Sequence, residues 1–159
     1  MTYFKQFFAA IALVLMSITT VSAAGPINTL EKSGLFGFKD SGIAIRGYDT
    51  VAYWTLGKPV EGSDDYTTEW QGATWKFASE EHLDLFTGNP EKYAPQYGGY
   101  CAYGVAQDAL VKIEPDQWSI VDDKLYLNYD AKVQRTWKMD IKGYIETADN
   151  KIDALLAAE

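Results

Sequence analysis

His82 and Cys101 are the only imidazole and the only thiol in the 159-residue chain. Any chemistry that needs an imidazole or thiolate ligand, or a strong nucleophile, therefore runs through these two side chains. His82 follows Glu80 and Glu81 and precedes Asp84, while Cys101 lies in the run Gly98-Gly99-Tyr100-Cys101-Ala102-Tyr103-Gly104. A thiolate and an imidazole suit Cu(I) in two-coordinate form, and carboxylates such as Glu80, Glu81 or Asp84 would complete the shell of another transition metal. A closed structural zinc site needs four convergent donors, more than this chain offers. Read as nucleophile and base, the pair lacks an identifiable third member and oxyanion hole, so the chain is not expected to be an enzyme. Tyr97, Tyr100 and Tyr103, with Tyr126 and Tyr129, are candidates to line an aromatic pocket for a small planar or apolar ligand. Each feature also has a purely structural reading. A helical histidine can be a boundary residue, a lone cysteine a small buried hydrophobe, and the tyrosines plain core.

The bulk composition narrows the setting. Lys5, an apolar run from Phe7 to Met16 and the small residues Val21-Ser22-Ala23-Ala24 have the layout of a secretory leader over residues 1–24. The apolar core of the leader is about ten residues, half of the roughly 20 that span a bilayer, so removal rather than anchoring is expected, with a periplasmic destination. No cysteine follows it to accept a lipid. Without Lys5 the processed chain has 13 basic and 22 acidic side chains, a net charge of about −9. Such a balance argues against nucleic acid and anionic lipid as partners and mildly favours cations, metal ions among them. One cysteine makes no internal disulfide, so stability has to come from packing, which 5 Trp, 11 Tyr and 7 Phe can supply.

The elements that would position these residues follow from local patterning. Residues 25–42 mix glycine, serine, asparagine and charge with scattered apolar positions (Leu30, Leu35, Phe36, Phe38) and read as an extended arm docked by its aromatics. Ile43-Ala44-Ile45 is a short β-prone run. Asp49 stands ahead of Val51-Ala52-Tyr53-Trp54 as a helix cap, and Gly57-Lys58-Pro59 ends that element. Tyr66–Trp70 and Ala73–Phe77 alternate about Gln71-Gly72 as a hairpin; a second hairpin joins Trp118–Val121 to Lys124–Asn128 across Asp122-Asp123. Ser79 caps a helix with Glu80 and Glu81 in its first turn, and Asn89-Pro90 ends it and starts another. Asp130 opens a helical tail marked by Val133, Trp137, Ile145, Ala148, Ile152, Leu155 and Leu156. The class expected is α+β: one small domain over 43–159, with hairpins packed on short helices and a C-terminal helical extension.

Several blocks in this order resemble the YHS-domain family, in its exported bacterial branch. Gly47-Tyr48-Asp49-Thr50-Val51-Ala52-Tyr53 is similar to the family's opening Gly-Tyr-Asp-Pro-Val-Ala-Tyr. Trp75-Lys76-Phe77-Ala78-Ser79 resembles its aromatic-x-Phe-x-Ser segment, and Phe86 to Tyr93 its Phe-x-x-x-Pro-x-x-Tyr. The resemblance is close from Ile43 to Gln107 and looser to about Ala148. It implies a small module associated with metal binding. The histidine of the Tyr-His-Ser signature falls at Ala78, and the cysteines that metal-binding relatives place near the opening segment and the helix start are missing. Two readings therefore stand side by side. In the first, Cys101 and His82 hold a transition metal, copper first, in periplasmic metal handling. In the second, the module has lost its metal and binds a protein partner or small molecule through an aromatic-rich surface.

Overall fold

Four short polar side chains decide where helices begin. Ser79, Asn89, Asp130 and Asp140 each accept a hydrogen bond from a first-turn backbone N–H, from His82, Lys92, Val133 and Gly143 respectively. Each bond satisfies a donor that has no partner inside its own helix. The computed structural model describes residues 25–33 and 37–158, so the leader expected over residues 1–24 lies outside the described residues. Within them run β1 (Leu30–Ser33), β2 (Gly37–Asp40), α1 (Ala52–Thr55), β3 (Ser63–Trp70), β4 (Ala73–Phe77), α2 (Glu80–Gly88), α3 (Pro90–Tyr93), α4 (Ala102–Ala106), β5 (Glu114–Val121), β6 (Lys124–Asn128), α5 (Ala131–Trp137), α6 (Ile141–Asp149) and α7 (Ile152–Ala157). The class is α+β, as the patterning predicts, and the strands form separate two-stranded antiparallel hairpins, β1–β2, β3–β4 and β5–β6. No helix among the described residues is long and apolar enough to cross a membrane.

The two hairpins foreseen in the sequence turn where expected. Gln71-Gly72 adopts φ of 49° and 78°, and Asp122-Asp123 φ of 48° and 54°. Positive φ at both central residues gives the turn a twist that matches the strands it joins. On β4 the alternation is clean, with Ala73, Trp75 and Phe77 buried and Thr74 and Lys76 only half-buried. Phe86 of α2 packs 4.8 Å from the Trp75 ring and 4.9 Å from Phe77, with Trp70 edge-on at 5.7 Å. This aromatic group belongs to a hydrophobic cluster that also contains Ile45, Val51, Tyr53, Cys101, Ile113, Leu125 and Leu127. A second cluster joins Tyr97, Tyr100, Val105 and Tyr126 to Trp137 and Ala148 of the C-terminal helices. The helical tail is thus packed through the apolar stripe read from the sequence.

Two local expectations are corrected. Ile43-Ala44-Ile45 is not a strand: Ile43 forms only an isolated parallel bridge to Thr74, and a 3-10 turn follows over Ala44–Gly47. Ile45 and Arg46 take left-handed backbone conformations, φ 50° and 56°. That conformation costs a non-glycine residue roughly 1–2 kcal/mol. It is offset by full burial of the Ile45 side chain and by the Arg46 ion pair with Glu114 at 2.6 Å. The residue 25–42 arm is likewise not extended throughout, because β1 and β2 pair with each other from Leu30↔Asp40 to Ser33↔Gly37. The arm docks through Ile27 and Asn28, both nearly fully buried. Asn28 donates from its backbone to the Gly98 carbonyl at 2.8 Å and from its amide side chain to the Gly99 carbonyl at 3.0 Å.

That docking needs glycine at position 98. Gly98 has φ of 61°, and a Cβ there would overlap the Pro26 carbonyl oxygen. Gly98→Ala should cost about 2–4 kcal/mol in urea denaturation, since it adds overlap to backbone strain. Gly72→Ala is the control: its φ is 78° but no atom lies within 4 Å of the added methyl, and a cost of about 1–2 kcal/mol is expected.

Candidate functional site

Asp49 has no exposed surface, yet its carboxylate is fully provided with hydrogen-bond donors. Oδ1 accepts the backbone N–H groups of Val51 at 2.9 Å and Ala52 at 3.2 Å, which opens α1. Oδ2 accepts the backbone N–H of Ala78 at 2.9 Å and Nδ1–H of His82 at 2.5 Å. One side chain therefore joins the start of α1, the end of β4 and the first turn of α2. A buried carboxylate is tolerated only with such compensation, because desolvation alone penalises the charge by several kcal/mol.

His82 is held from both ends. Its backbone N–H donates to the Ser79 cap at 3.2 Å, and its ring is 8% exposed. With Nδ1–H given to Asp49, Nε2 faces the Thr55 hydroxyl at 3.0 Å. The proton assignment follows from this network, since the Asp49 carboxylate offers only acceptors. Thr55 is exposed, and its hydroxyl also lies 3.2 Å from the Val51 carbonyl, one helical turn back. Asp49, His82 and Thr55 form a line from a buried carboxylate to a surface hydroxyl. Glu80, Glu81 and Asp84 are on the other side of α2, where with Leu85 they edge an open surface depression, while the imidazole is turned inward to Asp49.

Cys101 is 1% exposed and acts as a helix cap. Its sulfur accepts the backbone N–H groups of Gly104 at 3.3 Å and Tyr129 at 3.2 Å, and its S–H donates to Asn128 Oδ1 at 3.7 Å. The run expected as a glycine loop is therefore a loop only to Tyr100, and α4 starts on the thiol. Burial pushes the Cys101 pKa up, against the backbone N–H groups that pull it down, so the group stays a neutral thiol at pH 7. The partners of Cys101 (Gly104, Asn128, Tyr129) and those of His82 (Asp49, Thr55, Ser79) have no residue in common.

The tyrosines are dispersed over different tasks. The Tyr97 hydroxyl donates to Asp149 Oδ1 at 2.9 Å, which ties α6 to the loop after α3. Tyr100 donates to the Gly25 carbonyl at 3.0 Å and so anchors the arm. Tyr103 packs against Tyr144 with ring centroids 5.1 Å apart. Tyr126 is buried between Tyr97 and Trp137, and burial followed by the charges of Asp149 and Asp122 moves its pKa up to about 12.

The donor set does not fit a metal site of three or more such ligands. Among the described residues no three His, Cys, Asp or Glu side chains converge in a way that could hold an ion. A ligand bond to His82 would displace Thr55 or Asp49, and one to the Cys101 sulfur would compete with two backbone N–H groups. The residue that sequence reasoning placed least well is Asp49, read there as a helix cap alone. The cap is real, but the second oxygen does more. Capping alone accounts for an aspartate ahead of Val51, so the partnership with His82, 33 positions away, left no local signal in the sequence.

Two measurements test this geometry. Asp49→Ala removes the acceptor of the His82 ring N–H and strands the Val51 and Ala78 backbone N–H groups, so unfolding in urea should show a loss of about 3–5 kcal/mol. Iodoacetamide alkylation of Cys101 followed by mass spectrometry should run at least about 100-fold slower in the native protein than in the urea-unfolded chain, because the native thiol is buried and its thiolate disfavoured.

Comparison with known proteins adds one assignment. No curated protein matches the chain, and no solved structure matches it. The model of the YHS domain family matches residues 51–97, a span that contains His82 and Thr55 and stops short of Cys101. It begins two residues after the carboxylate that organises the site. Residues 51–97, less than a third of the chain, are thus similar to the YHS domain.

Proposed function

We propose that this chain is an exported YHS-type binding module that acts by contact with a partner and needs no resident metal for its fold or its task. The observation that carries this reading is the engagement of both soft donors. His82 is held by Asp49 and Thr55, and Cys101 by Gly104, Tyr129 and Asn128, in two separate sets of hydrogen bonds. Export to the periplasm is supported by Lys5, the apolar run to Met16 and the small residues before Gly25.

The YHS match itself favours a second reading, in which a transition metal, copper first, is bound through Cys101 and His82 in metal handling. That reading requires the Cys101 S–H to give up its proton and its bond to Asn128, and His82 Nε2 to leave Thr55, at a cost of about 1–3 kcal/mol for each buried group left unsatisfied.

Titration of the purified, reduced protein with Cu(I) against a calibrated chelator separates the two. The expected result is no stoichiometric binding above that of the chelator, with Cys101→Ser and His82→Gln indistinguishable from the parent. One equivalent held tightly and lost in both variants, each folded by circular dichroism, would overturn the metal-free reading and establish the copper site.

A further inference from the structure

The outer face of α5 concentrates positive charge in a chain whose formal net charge is −8. Lys132, Arg135 and the C-cap Lys138 are exposed at spacings of three, and Met139, 84% exposed, follows in the turn just past the helix end. The opposite side of the helix is committed to the fold: Trp137 is fully buried and Gln134 donates to the Trp118 carbonyl at 2.8 Å. None of the ion pairs among the described residues includes Lys132, Arg135 or Lys138. The carboxylates nearest in sequence, Asp130 and Asp140, are engaged in capping α5 and α6 through the Val133 and Gly143 N–H groups. Lys142 belongs elsewhere, to a shallow cavity it lines with Asp122 and Glu146.

We infer that this face docks an acidic segment of a partner protein, with carboxylates at alternate positions of an extended strand and an apolar residue between them. The inference rests on the reading of the chain as a binding module and names the chemistry of its partner. Charge complementarity selects the sign. From Lys132 to the C-cap Lys138 the helix rises six residues at ~1.5 Å each, about 9 Å, which about three residues of extended chain would cover. A single exposed methionine is unremarkable by itself. Beside three unpaired cations it supplies an adaptable apolar contact of the kind that tolerates varied partners. An anionic bilayer is the less favoured occupant, because an extended negative surface also meets the acidic remainder of the chain, whereas a short segment within a Debye length of about 8 Å meets only the patch.

The test is fluorescence anisotropy with a labelled peptide of alternating glutamate and leucine, and a control peptide with glutamine in place of glutamate. Saturable binding of the first peptide is expected, weakening with salt and absent for the control. Reversal of the face in a Lys132→Glu, Arg135→Glu, Lys138→Glu variant should weaken it at least 10-fold, and Met139→Ser about threefold, both with unchanged circular dichroism and thermal midpoint. No saturable binding, or equal binding by the reversed variant, overturns the inference. Co-sedimentation with phosphatidylglycerol vesicles that the peptide does not compete would reassign the face to membrane and likewise overturn it. A tight copper site would sink the metal-free reading and leave this assay unaffected, while a failed anisotropy assay with no copper bound rejects this face alone.

Discussion

The architecture around α1, β4 and α2 depends on one buried carboxylate. Asp49 gathers three backbone N–H groups and one imidazole from segments up to 33 residues apart in sequence, and does so with no contact to water. Such a group does not maximise stability, since a well-packed apolar cluster of the same volume would often serve as well. It fixes geometry: the donors must arrive at set directions and distances, so α1 and α2 can meet β4 in only one way. The aromatic packing of Trp75, Phe77 and Phe86 then supplies non-directional burial around a frame already specified.

Cys101 plays a comparable part elsewhere in the same hydrophobic cluster. A thiol is a weak acceptor, yet here it meets the first turn of α4 and the chain leaving β6. Serine would make stronger hydrogen bonds at such a cap, but its hydroxyl costs more to desolvate in surroundings this apolar. The lone cysteine thus reads as a compromise between capping and burial. Asn128, whose Oδ1 serves both Cys101 and the Tyr103 N–H, leaves its Nδ2 without a partner among the described residues, the one unsettled point in that arrangement.

Local signals made most of the elements legible in the sequence. Helix starts at Ser79, Asn89-Pro90 and Asp130, and turns at Gln71-Gly72 and Asp122-Asp123, depend on residues within four positions of one another, and both the caps and the turn geometry are observed. Readings failed where distant partners decide. Ile45 has strand propensity, but the pocket it fills between Asn28 and Gly99 requires a left-handed turn. The arm looked featureless because its docking is made largely by backbone groups, which leave no trace in residue type. Asp49 and His82 could be singled out separately, but their meeting across 33 positions is a property of the fold. The same holds for Cys101, whose neighbours in space come mostly from β6.

One detail of the Asp49 arrangement bears on how such a module can change over time. Ala78 takes part through its main-chain N–H alone, and its half-buried side chain contributes no hydrogen bond. The fold therefore places few demands on residue identity at the position where the family signature has histidine. A ligand-bearing side chain could be gained or lost there while the frame that presents it stays in place. A histidine there would be one donor of the three or four that a metal site needs, so metal chemistry would be built up or dismantled stepwise on a constant scaffold.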